Sequence, residues 1–179
     1  MSAHYFVSDA HLGAAPPESE QRLLDFLGTI HGADSLFILG DLFEAWVGDD
    51  DPNTHYFTIK RALRKLTDGG IPVYFMHGNR DFLLGPTYAA RAGFDLLPET
   101  FNLDLYGTPT VLLHGDTLCT DDLEYQAIRT QTRDPAWQRR VLRARSAALA
   151  AIISPSESRN VTPVPDQRAD TQENPAAAY

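Results

Sequence analysis

The 179-residue sequence contains a single cysteine, Cys119, and no histidine beyond His114. One cysteine excludes an internal disulfide and any metal site built from several thiolates. The apolar runs are only as long as strands, so none of them could span a bilayer. The first residues have neither the basic start nor the long apolar middle of a signal peptide, which favours a cytoplasmic location.

Basic residues are scarce over most of the chain, and the formal net charge is −9. This acidic balance argues against general nucleic-acid binding, and no protein partner is predicted. The exception is the segment 129–145, which holds six arginines and one acidic residue. The hydrophobic fraction of 43% and the charged fraction of 22% are typical of a globular protein.

The order of apolar patterns predicts an α/β fold. Strand patterns cover 3–7, 35–39 and 71–76, and helical spacing covers 18–30 and 54–66. Alternation at this spacing predicts a parallel sheet covered by helices. After Phe94 the pattern changes, and two runs, 101–106 and 110–113, predict an antiparallel pair with its turn at 107–109. Helices are predicted over 121–132 and 135–153.

Composition divides the chain into a folded part and a tail. Residues 1–153 are predicted to form one domain. Residues 154–179 contain four prolines and few large apolar side chains. Such a segment cannot bury enough surface to order itself, so we expect a disordered tail.

Four short polar signatures each follow a predicted strand. They are Ser8-Asp9-Ala10-His11, Gly40-Asp41, Gly78-Asn79-Arg80-Asp81 and His114-Gly115-Asp116. Groups just beyond the carboxyl ends of strands in an α/β sheet converge on one crevice. We therefore expect one cluster to form from Asp9, His11, Asp41, Asn79 and His114.

The residue types in this cluster suit divalent transition metals. Imidazole and carboxylate groups bind Mn, Fe or Zn, and an amide oxygen can complete the ligand shell. A carboxylate such as Asp41 can bridge two metals about 4 Å apart. Arg80, beside Asn79, is suited to pairing with phosphate oxygens.

Each signature taken alone has a simpler interpretation. A Gly-Asp pair after a strand is usually a turn, and a single histidine such as His114 is as often a hydrogen-bonded structural residue. The joint occurrence of four signatures in this order favours the metal centre. His77 is expected to be structural, and surface or packing positions are expected for His4, His31 and His55.

Together the motifs resemble those of a known family. The order Asp-x-His, Gly-Asp, Gly-Asn-Arg-Asp and His-Gly-Asp is similar to that of the calcineurin-like metallophosphoesterase superfamily. Three longer stretches resemble the UDP-2,3-diacylglucosamine hydrolases of lipid A synthesis, and they cover 40–50, 77–85 and 114–126. The resemblance extends over residues 4 to about 146. It implies a layered αββα sandwich, incomplete at the C-terminus, with the start of a helical cap at about 121–153.

The resemblance also implies a function. It implies an enzyme with two manganese ions, peripheral on the cytoplasmic face of the inner membrane. Such an enzyme cleaves the pyrophosphate of UDP-2,3-diacylglucosamine to UMP and 2,3-diacylglucosamine 1-phosphate (lipid X), with a metal-activated water and no further catalytic side chain. The implied first metal has the ligands Asp9, His11 and Asp41. The implied second metal has the ligands Asp41, Asn79 and His114. The implied substrate-binding residues are Asn79, Arg80 and Asp122.

The basic segment falls where the family has its helical cap over the acyl chains. One interpretation is contact with anionic lipid headgroups, worth about 1 kcal/mol per basic group. The other is an ordinary solvated helix face. The arginines concerned are Arg129, Arg133, Arg139, Arg140, Arg143 and Arg145. A role in supporting the loops is expected for Asp81, Glu44 and Trp46.

One part of the family pattern is missing. The family closes its metal site with a later Gly-His-x-His motif, one histidine per metal, which this sequence lacks. Beyond Ser146 the resemblance stops, which predicts a frameshifted or truncated product. We therefore expect weak metal affinity, poor solubility and little diphosphatase activity. Two alternatives are another metallophosphoesterase, against which the stretches around Trp46 and Cys119 weigh, and a non-catalytic fragment with residual metal binding.

Overall fold

The computed structural model describes residues 3–13, 17–49 and 56–144. The tail predicted for 154–179 and the end of the helix predicted for 135–153 lie outside these ranges, as do His55 and Arg145. The division into a domain and a tail therefore stays a prediction.

Four parallel strands form the central sheet. They are β1 (His4–Val7), β2 (Ser35–Ile38), β3 (Val73–Phe75) and β4 (Asp95–Leu96), and they lie side by side in this order. Val7 pairs with Ile38, and Ile38 pairs with Phe75. The first three strands therefore end at the same level, and the segments that follow them leave the sheet at one edge. The expected α/β fold class is confirmed.

Three helices accompany this sheet: α1 (Pro17–Thr29), α2 (Tyr56–Asp68) and α3 (Pro86–Ala92). Helix α2 buries Ile59, Leu63 and Leu66 at helical spacing, which gives it one apolar face. These side chains share the main core with Leu36 and Ile38 of β2. Burial of each such side chain contributes about 1.5–3 kcal/mol.

An antiparallel hairpin packs on the other face of the sheet. Its strands are β5 (Phe101–Leu105) and β6 (Thr108–Leu112). Phe37 of β2 and Met76 after β3 form a second apolar cluster with Leu112 of the hairpin. Because neighbouring residues of a strand point to opposite faces, β2 serves the helix side with Leu36 and Ile38 and the hairpin side with Phe37.

The hairpin turn differs from the prediction. Leu105 pairs with Thr108, so the loop is the two residues Tyr106 and Gly107, and not 107–109. Both have positive φ angles, 55° and 89°, as a type I′ turn requires. The proline at position 109 suggested a turn, but it lies in β6, opposite Asp104.

The sequence patterns also missed α3 and β4. Helix α3 has seven residues and buries Tyr88, Ala89 and Ala92. Alanines give little hydrophobic periodicity, so only Pro86 at its start and the left-handed Gly93 at its end signalled the helix. Strand β4 is two residues long, too short to produce a pattern.

The described chain ends with two helices, α4 (Leu123–Thr132) and α5 (Pro135–Ala144). Asp122 caps α4 by accepting a hydrogen bond of 2.9 Å from the backbone N–H of Tyr125. Trp137 of α5 is buried in the main core, with its ring 6.3 Å from that of Phe82. Among the helices of the described ranges, none has the length and apolar character to cross a membrane.

The segments after β1 and β2 continue the parallel pairing beyond the strands. The backbone N–H of His11 donates to the carbonyl of Asp41 at 3.0 Å, and that of Asp9 donates to Gly40 at 3.1 Å. Leu12 forms a further parallel bridge with Phe43. These bonds hold two of the four signatures at a fixed spacing.

A buried carboxylate ties the second and third signatures together. Asp81 is fully buried, and its Oδ1 accepts from the backbone N–H groups of Gly78 at 2.9 Å and Asp41 at 3.3 Å. Its Oδ2 accepts from those of Leu42 at 2.8 Å and Phe43 at 3.4 Å. Burial, together with the charge of Asp41, raises the pKa of Asp81 to about 6, while the N–H donors favour the ionised form.

We expect Asp81→Asn to lower the free energy of unfolding by about 2–4 kcal/mol, since the amide nitrogen leaves two buried N–H groups without an acceptor. The measurement is urea denaturation at pH 8 without metal. The matched control is Asp68→Asn, because Asp68 is exposed and pairs with Arg64 of its own helix. A change below about 0.5 kcal/mol is expected there. A loss below 1 kcal/mol for Asp81→Asn would contradict the role of Asp81 in holding the second and third signatures together.

Candidate metal centre

The segments after β1, β2, β3 and β6 bring the predicted ligands to one edge of the fold. Three of these residues have left-handed backbone angles: Asp9 at φ 55°, His11 at φ 46° and Asp41 at φ 52°. Such angles are uncommon outside glycine and cluster at functional sites. The backbone is therefore bent at the positions where the signatures leave the sheet.

The first group of side chains is Asp9, His11 and Asp41. Nε2 of His11 lies 3.8 Å from Oδ1 of Asp9 and 3.9 Å from Oδ2 of Asp41. One ligand atom from each residue lies within 4.8 Å of the other two. This spacing fits three ligands around one metal ion.

The second group is Asp41, Asn79 and His114. Nε2 of His114 lies 3.0 Å from Oδ1 of Asn79 and 3.7 Å from Oδ2 of Asp41. The same Oδ2 atom of Asp41 thus faces both imidazoles. The structure brings all five predicted metal ligands together and gives Asp41 the shared position.

Hydrogen bonds fix the tautomers of both histidines. Nδ1 of His11 lies 2.8 Å from a carboxylate oxygen of Glu44, and Nδ1 of His114 lies 2.7 Å from the carbonyl of Leu39. Carboxylate and carbonyl oxygens only accept, so each Nδ1 carries the proton and donates it. In a neutral imidazole this leaves the lone pair of Nε2 directed into the cluster, the arrangement found in metal-binding histidines.

The donor set therefore fits metal ions. With neutral imidazoles, Nε2 of His114, Oδ1 of Asn79 and Oδ2 of Asp41 are all acceptors that face one another. Burial raises the pKa of Asp41, although the backbone N–H of Arg80 and, when protonated, the nearby imidazoles oppose the shift. A cation among these atoms would satisfy the facing lone pairs and favour the ionised carboxylate.

Two glycines leave room for the shared carboxylate. A Cβ on Gly78 would collide with the backbone and side chain of Asp41, and one on Gly40 would lie 2.7 Å from Nδ1 of His114. Gly40 also has a positive φ of 92°. The glycines of these two signatures thus allow the close approach of the loops after β2 and β3.

The predicted substrate-binding residues lie at different places. Arg80 is buried, and its Nη1 lies 3.6 Å from Oε1 of Glu44. Its backbone N–H donates to Oδ1 of Asp41 at 2.9 Å, so it adjoins the metal ligands together with Asn79. Asp122 is half-buried and serves as the N-cap of α4. Contact of these residues with a substrate stays a prediction.

Glu44 and Trp46, which were expected to support the loops, both contact residues of neighbouring loops. Glu44 joins His11 to Arg80. The indole N–H of Trp46 donates at 3.1 Å to Asp49, whose carboxylate also accepts from the backbone N–H of Gly85.

The remaining described histidines lie at surface or packing positions, as the sequence predicts for His4, His31 and His77. His4 lies 2.7 Å from the hydroxyl of Ser35, and His31 is exposed. Nε2 of His77 lies 2.7 Å from the carbonyl of Leu84, and burial lowers the pKa of this imidazole.

The interpretation of the basic segment is wrong for two of its arginines. Nε of Arg129 lies 2.8 Å from Asp116 and Nη2 lies 2.9 Å from Glu99. Nε of Arg133 lies 3.3 Å from Glu99, and Nη2 donates to the carbonyl of Gly78 at 2.9 Å. Neither side chain is more than 15% exposed. These two arginines bind within the protein and neither face lipid nor form a solvated surface.

Sequence reasoning missed this network because its members are far apart along the chain. Gly78 and Arg133 are separated by 55 residues. The only signal was a pair of arginines one helical turn apart, Arg129 and Arg133, which is also typical of an exposed face.

Comparison with known proteins places the chain in a family. A "UDP-2,3-diacylglucosamine hydrolase" of Xanthomonas campestris pv. campestris (strain B100) is 55% identical over 150 residues, covering 83% of this chain and 60% of the relative. One of Stenotrophomonas maltophilia (strain K279a) is 54% identical over 150 residues, covering 83% and 59%. The chain thus spans about 60% of the length of these curated relatives.

A solved structure and a family model also match. The crystal structure of Pseudomonas putida nuclease MPE is similar with a TM-score of 0.44 and 26% identity, covering 56% of this chain and 50% of that one. The family model of calcineurin-like phosphoesterases matches residues 5–156, a range that includes every residue of the two ligand groups. The chain belongs to the calcineurin-like phosphoesterase family.

Proposed function

We propose that the chain carries the metal site of a phosphoric anhydride hydrolase that acts on UDP-2,3-diacylglucosamine in lipid A synthesis. The observation that carries the proposal is the position of Oδ2 of Asp41, 3.9 Å from Nε2 of His11 and 3.7 Å from Nε2 of His114. One carboxylate oxygen between two oriented imidazoles is the arrangement that a two-metal hydrolase needs. The names of the similar proteins support the choice of substrate.

Two manganese ions are proposed as the cofactors. Asp9 and His11 would hold the first, Asn79 and His114 would hold the second, and Asp41 would bridge them. When bound, such a pair supplies a water of lowered pKa and neutralises phosphate charge. Carboxylate, imidazole and amide ligands suit Mn²⁺, and the same set also accepts Fe or Zn.

The protein's own residues would orient the substrate. The guanidinium of Arg80 lies beside Glu44 at the edge of the site. There it is placed to pair with non-bridging oxygens of the substrate's phosphates. Water adds to the α-phosphorus as the bond from that phosphorus to the bridging oxygen breaks. The products are then UMP and 2,3-diacylglucosamine 1-phosphate. Asp122 is proposed as a further residue that contacts the substrate.

The histidine content bears on how strongly this chain binds metal. Each of the two groups contains one imidazole, His11 in the first and His114 in the second. We therefore propose weak metal affinity and little turnover for this chain. A non-catalytic protein that retains metal binding is the second candidate, and the same histidine count favours it.

A manganese titration tests the function. We expect Mn²⁺ at 100 times its Kd to stabilise the fold by about 2.7 kcal/mol and to raise Tm by roughly 5–10 °C. UMP release from UDP-2,3-diacylglucosamine, followed in the same samples, is expected to be slow and to need Mn²⁺. An unchanged Tm at all Mn²⁺ concentrations would contradict the metal site. Binding with no UMP above the protein-free rate would favour the non-catalytic alternative.

We expect Asp41→Asn to abolish the rise in Tm with Mn²⁺, because an amide lacks the negative oxygen shared by the two groups. The stability without metal should not fall, since a buried charge is removed while one side-chain oxygen remains for the N–H of Arg80. Thermal denaturation with and without Mn²⁺ measures both effects. The control is Asp95→Asn, an exposed position in β4, which should keep the full response. A normal response in Asp41→Asn would exclude the bridge.

A peripheral position on the cytoplasmic face of the inner membrane is also proposed, since the proposed substrate carries two acyl chains. Three exposed arginines of α5 remain for lipid contact after the correction above: Arg139, Arg140 and Arg143. Each is worth about 1 kcal/mol beside an anionic membrane. Helical spacing puts these residues on one side of the helix.

Replacing these three arginines by serine should lower partitioning onto vesicles of anionic lipid by on the order of 100-fold. Binding to neutral vesicles should not change, and added salt should reduce the difference. Vesicle co-sedimentation measures both. The matched control removes three exposed basic groups elsewhere: Arg22, Arg61 and Lys65. Equal losses in the two triple variants would indicate that the α5 face is only solvated.

A further inference from the structure

Arg133 is not one of the candidate metal ligands, but it contacts the loop that carries one of them. It is the C-cap residue of α4, and its Nη2 donates to the carbonyl of Gly78 at 2.9 Å. The guanidinium carbon lies 5.4 Å from the ring centroid of Phe82. The side chain is thus held over the loop that follows β3, which carries the third signature.

The accepting carbonyl belongs to the peptide that joins Gly78 to Asn79. The N–H of Gly78, which belongs to the preceding peptide, donates to Asp81 at 2.9 Å. The two bonds together fix the rotation of the backbone just before Asn79. Since Oδ1 of Asn79 lies 3.0 Å from Nε2 of His114, a rotation of this peptide would move the amide away from the second group of ligands.

Two carboxylates hold Arg133 in this position. Its Nε lies 3.3 Å from Glu99, and its Nη2 lies 3.7 Å from Asp116. A charged donor in such a network forms a stronger hydrogen bond to a carbonyl than a neutral one.

We propose that Arg133 is a positioning residue for Asn79 and thereby for the ligand group of Asp41, Asn79 and His114. It acts through the Gly78 carbonyl and ties helix α4 to one of the two groups only. The proposal rests on the proposed metal site, but its effect on the backbone exists without metal. Its failure can therefore be distinguished from failure of that site.

Arg129 provides a matched control. It contacts the same two carboxylates, Asp116 at 2.8 Å and Glu99 at 2.9 Å, and among the described residues it forms no hydrogen bond with the Gly78 carbonyl. Arg133→Met and Arg129→Met therefore each remove one arginine from the same ion-pair network. The two variants differ in the bond to Gly78 and in the contact of Arg133 with the ring of Phe82.

The first experiment is NMR of the metal-free chain. We expect Arg133→Met to shift the backbone amide nitrogen of Asn79 and to move the two side-chain amide protons of Asn79 towards their positions in an unstructured peptide. Arg129→Met should leave these signals in place. Urea denaturation of both variants shows whether they lose similar stability. Unshifted Asn79 signals in Arg133→Met, or equal shifts in both variants, would overturn the proposal whether or not the chain binds metal.

The second experiment titrates the same proteins with Zn²⁺, a diamagnetic ion that the ligands also suit. The imidazole Nε2 signals of His11 and His114 report the two groups separately. The quantity compared is the Zn²⁺ concentration at which each histidine signal has made half of its change. In Arg133→Met this concentration should rise about tenfold for His114, as expected when a hydrogen bond that orients a ligand is lost. For His11 it should stay within twofold of its value in the unaltered chain. An equal rise at both histidines would contradict the proposal. If Zn²⁺ changed neither histidine signal of the unaltered chain, the metal site would be contradicted. The first experiment, which needs no metal, would then decide on the role of Arg133.

Discussion

The buried carboxylate of Asp81 joins the loops after β2 and β3, and the geometry of the ligands depends on it. Its two oxygens accept from the backbone N–H groups of Gly78, Asp41, Leu42 and Phe43. The residue that would bridge two metals and the loop that carries Asn79 therefore cannot move independently. The distances between ligand atoms are consequently set by backbone hydrogen bonds more than by side-chain rotamers, which is how a preorganised site is built.

Charge at this edge of the sheet leads to the same conclusion as the geometry. Burial raises the pKa of both Asp41 and Asp81. The charge of Asp41 raises the pKa of Asp81 further, and the charge of Asp9 does the same for Asp41. The buried guanidinium of Arg80 lies close by, with its Nη1 3.6 Å from Oε1 of Glu44. A bound cation would relieve this repulsion in the folded state and would have no such effect on an unfolded chain. Metal binding and folding stability are then coupled.

Local signals in the sequence predicted five of the six described strands, most of the helices and the meeting of the five candidate ligands. Each of these residues lies just after a strand that an apolar run reveals. Signals of other kinds were missed. Helix α3 packs mainly through alanines, which give a weak hydrophobic pattern. The turn at Tyr106 and Gly107 depends on positive φ angles, whereas the nearby proline at position 109 suggested a turn one residue later. The roles of Arg129 and Arg133 depend on partners that are 30 and 55 residues away. A single sequence cannot show such pairs, and an arginine in a basic run looks like a surface group until its partners are known.

The two ligand groups are held in different ways. Asp9, His11 and Asp41 have left-handed backbones, which cost about 1–3 kcal/mol each and persist only where surrounding bonds enforce them. Here the bonds that extend the parallel pairing from β1 and β2 do so. Among the described residues Asn79 and His114 do not have such angles, and hydrogen bonds from distant segments hold them instead: His114 donates to Leu39, and Arg133 donates to the peptide before Asn79. The backbone of the first group therefore depends mainly on the bonds that extend the sheet, whereas the second group also depends on how the hairpin and α4 pack against the sheet.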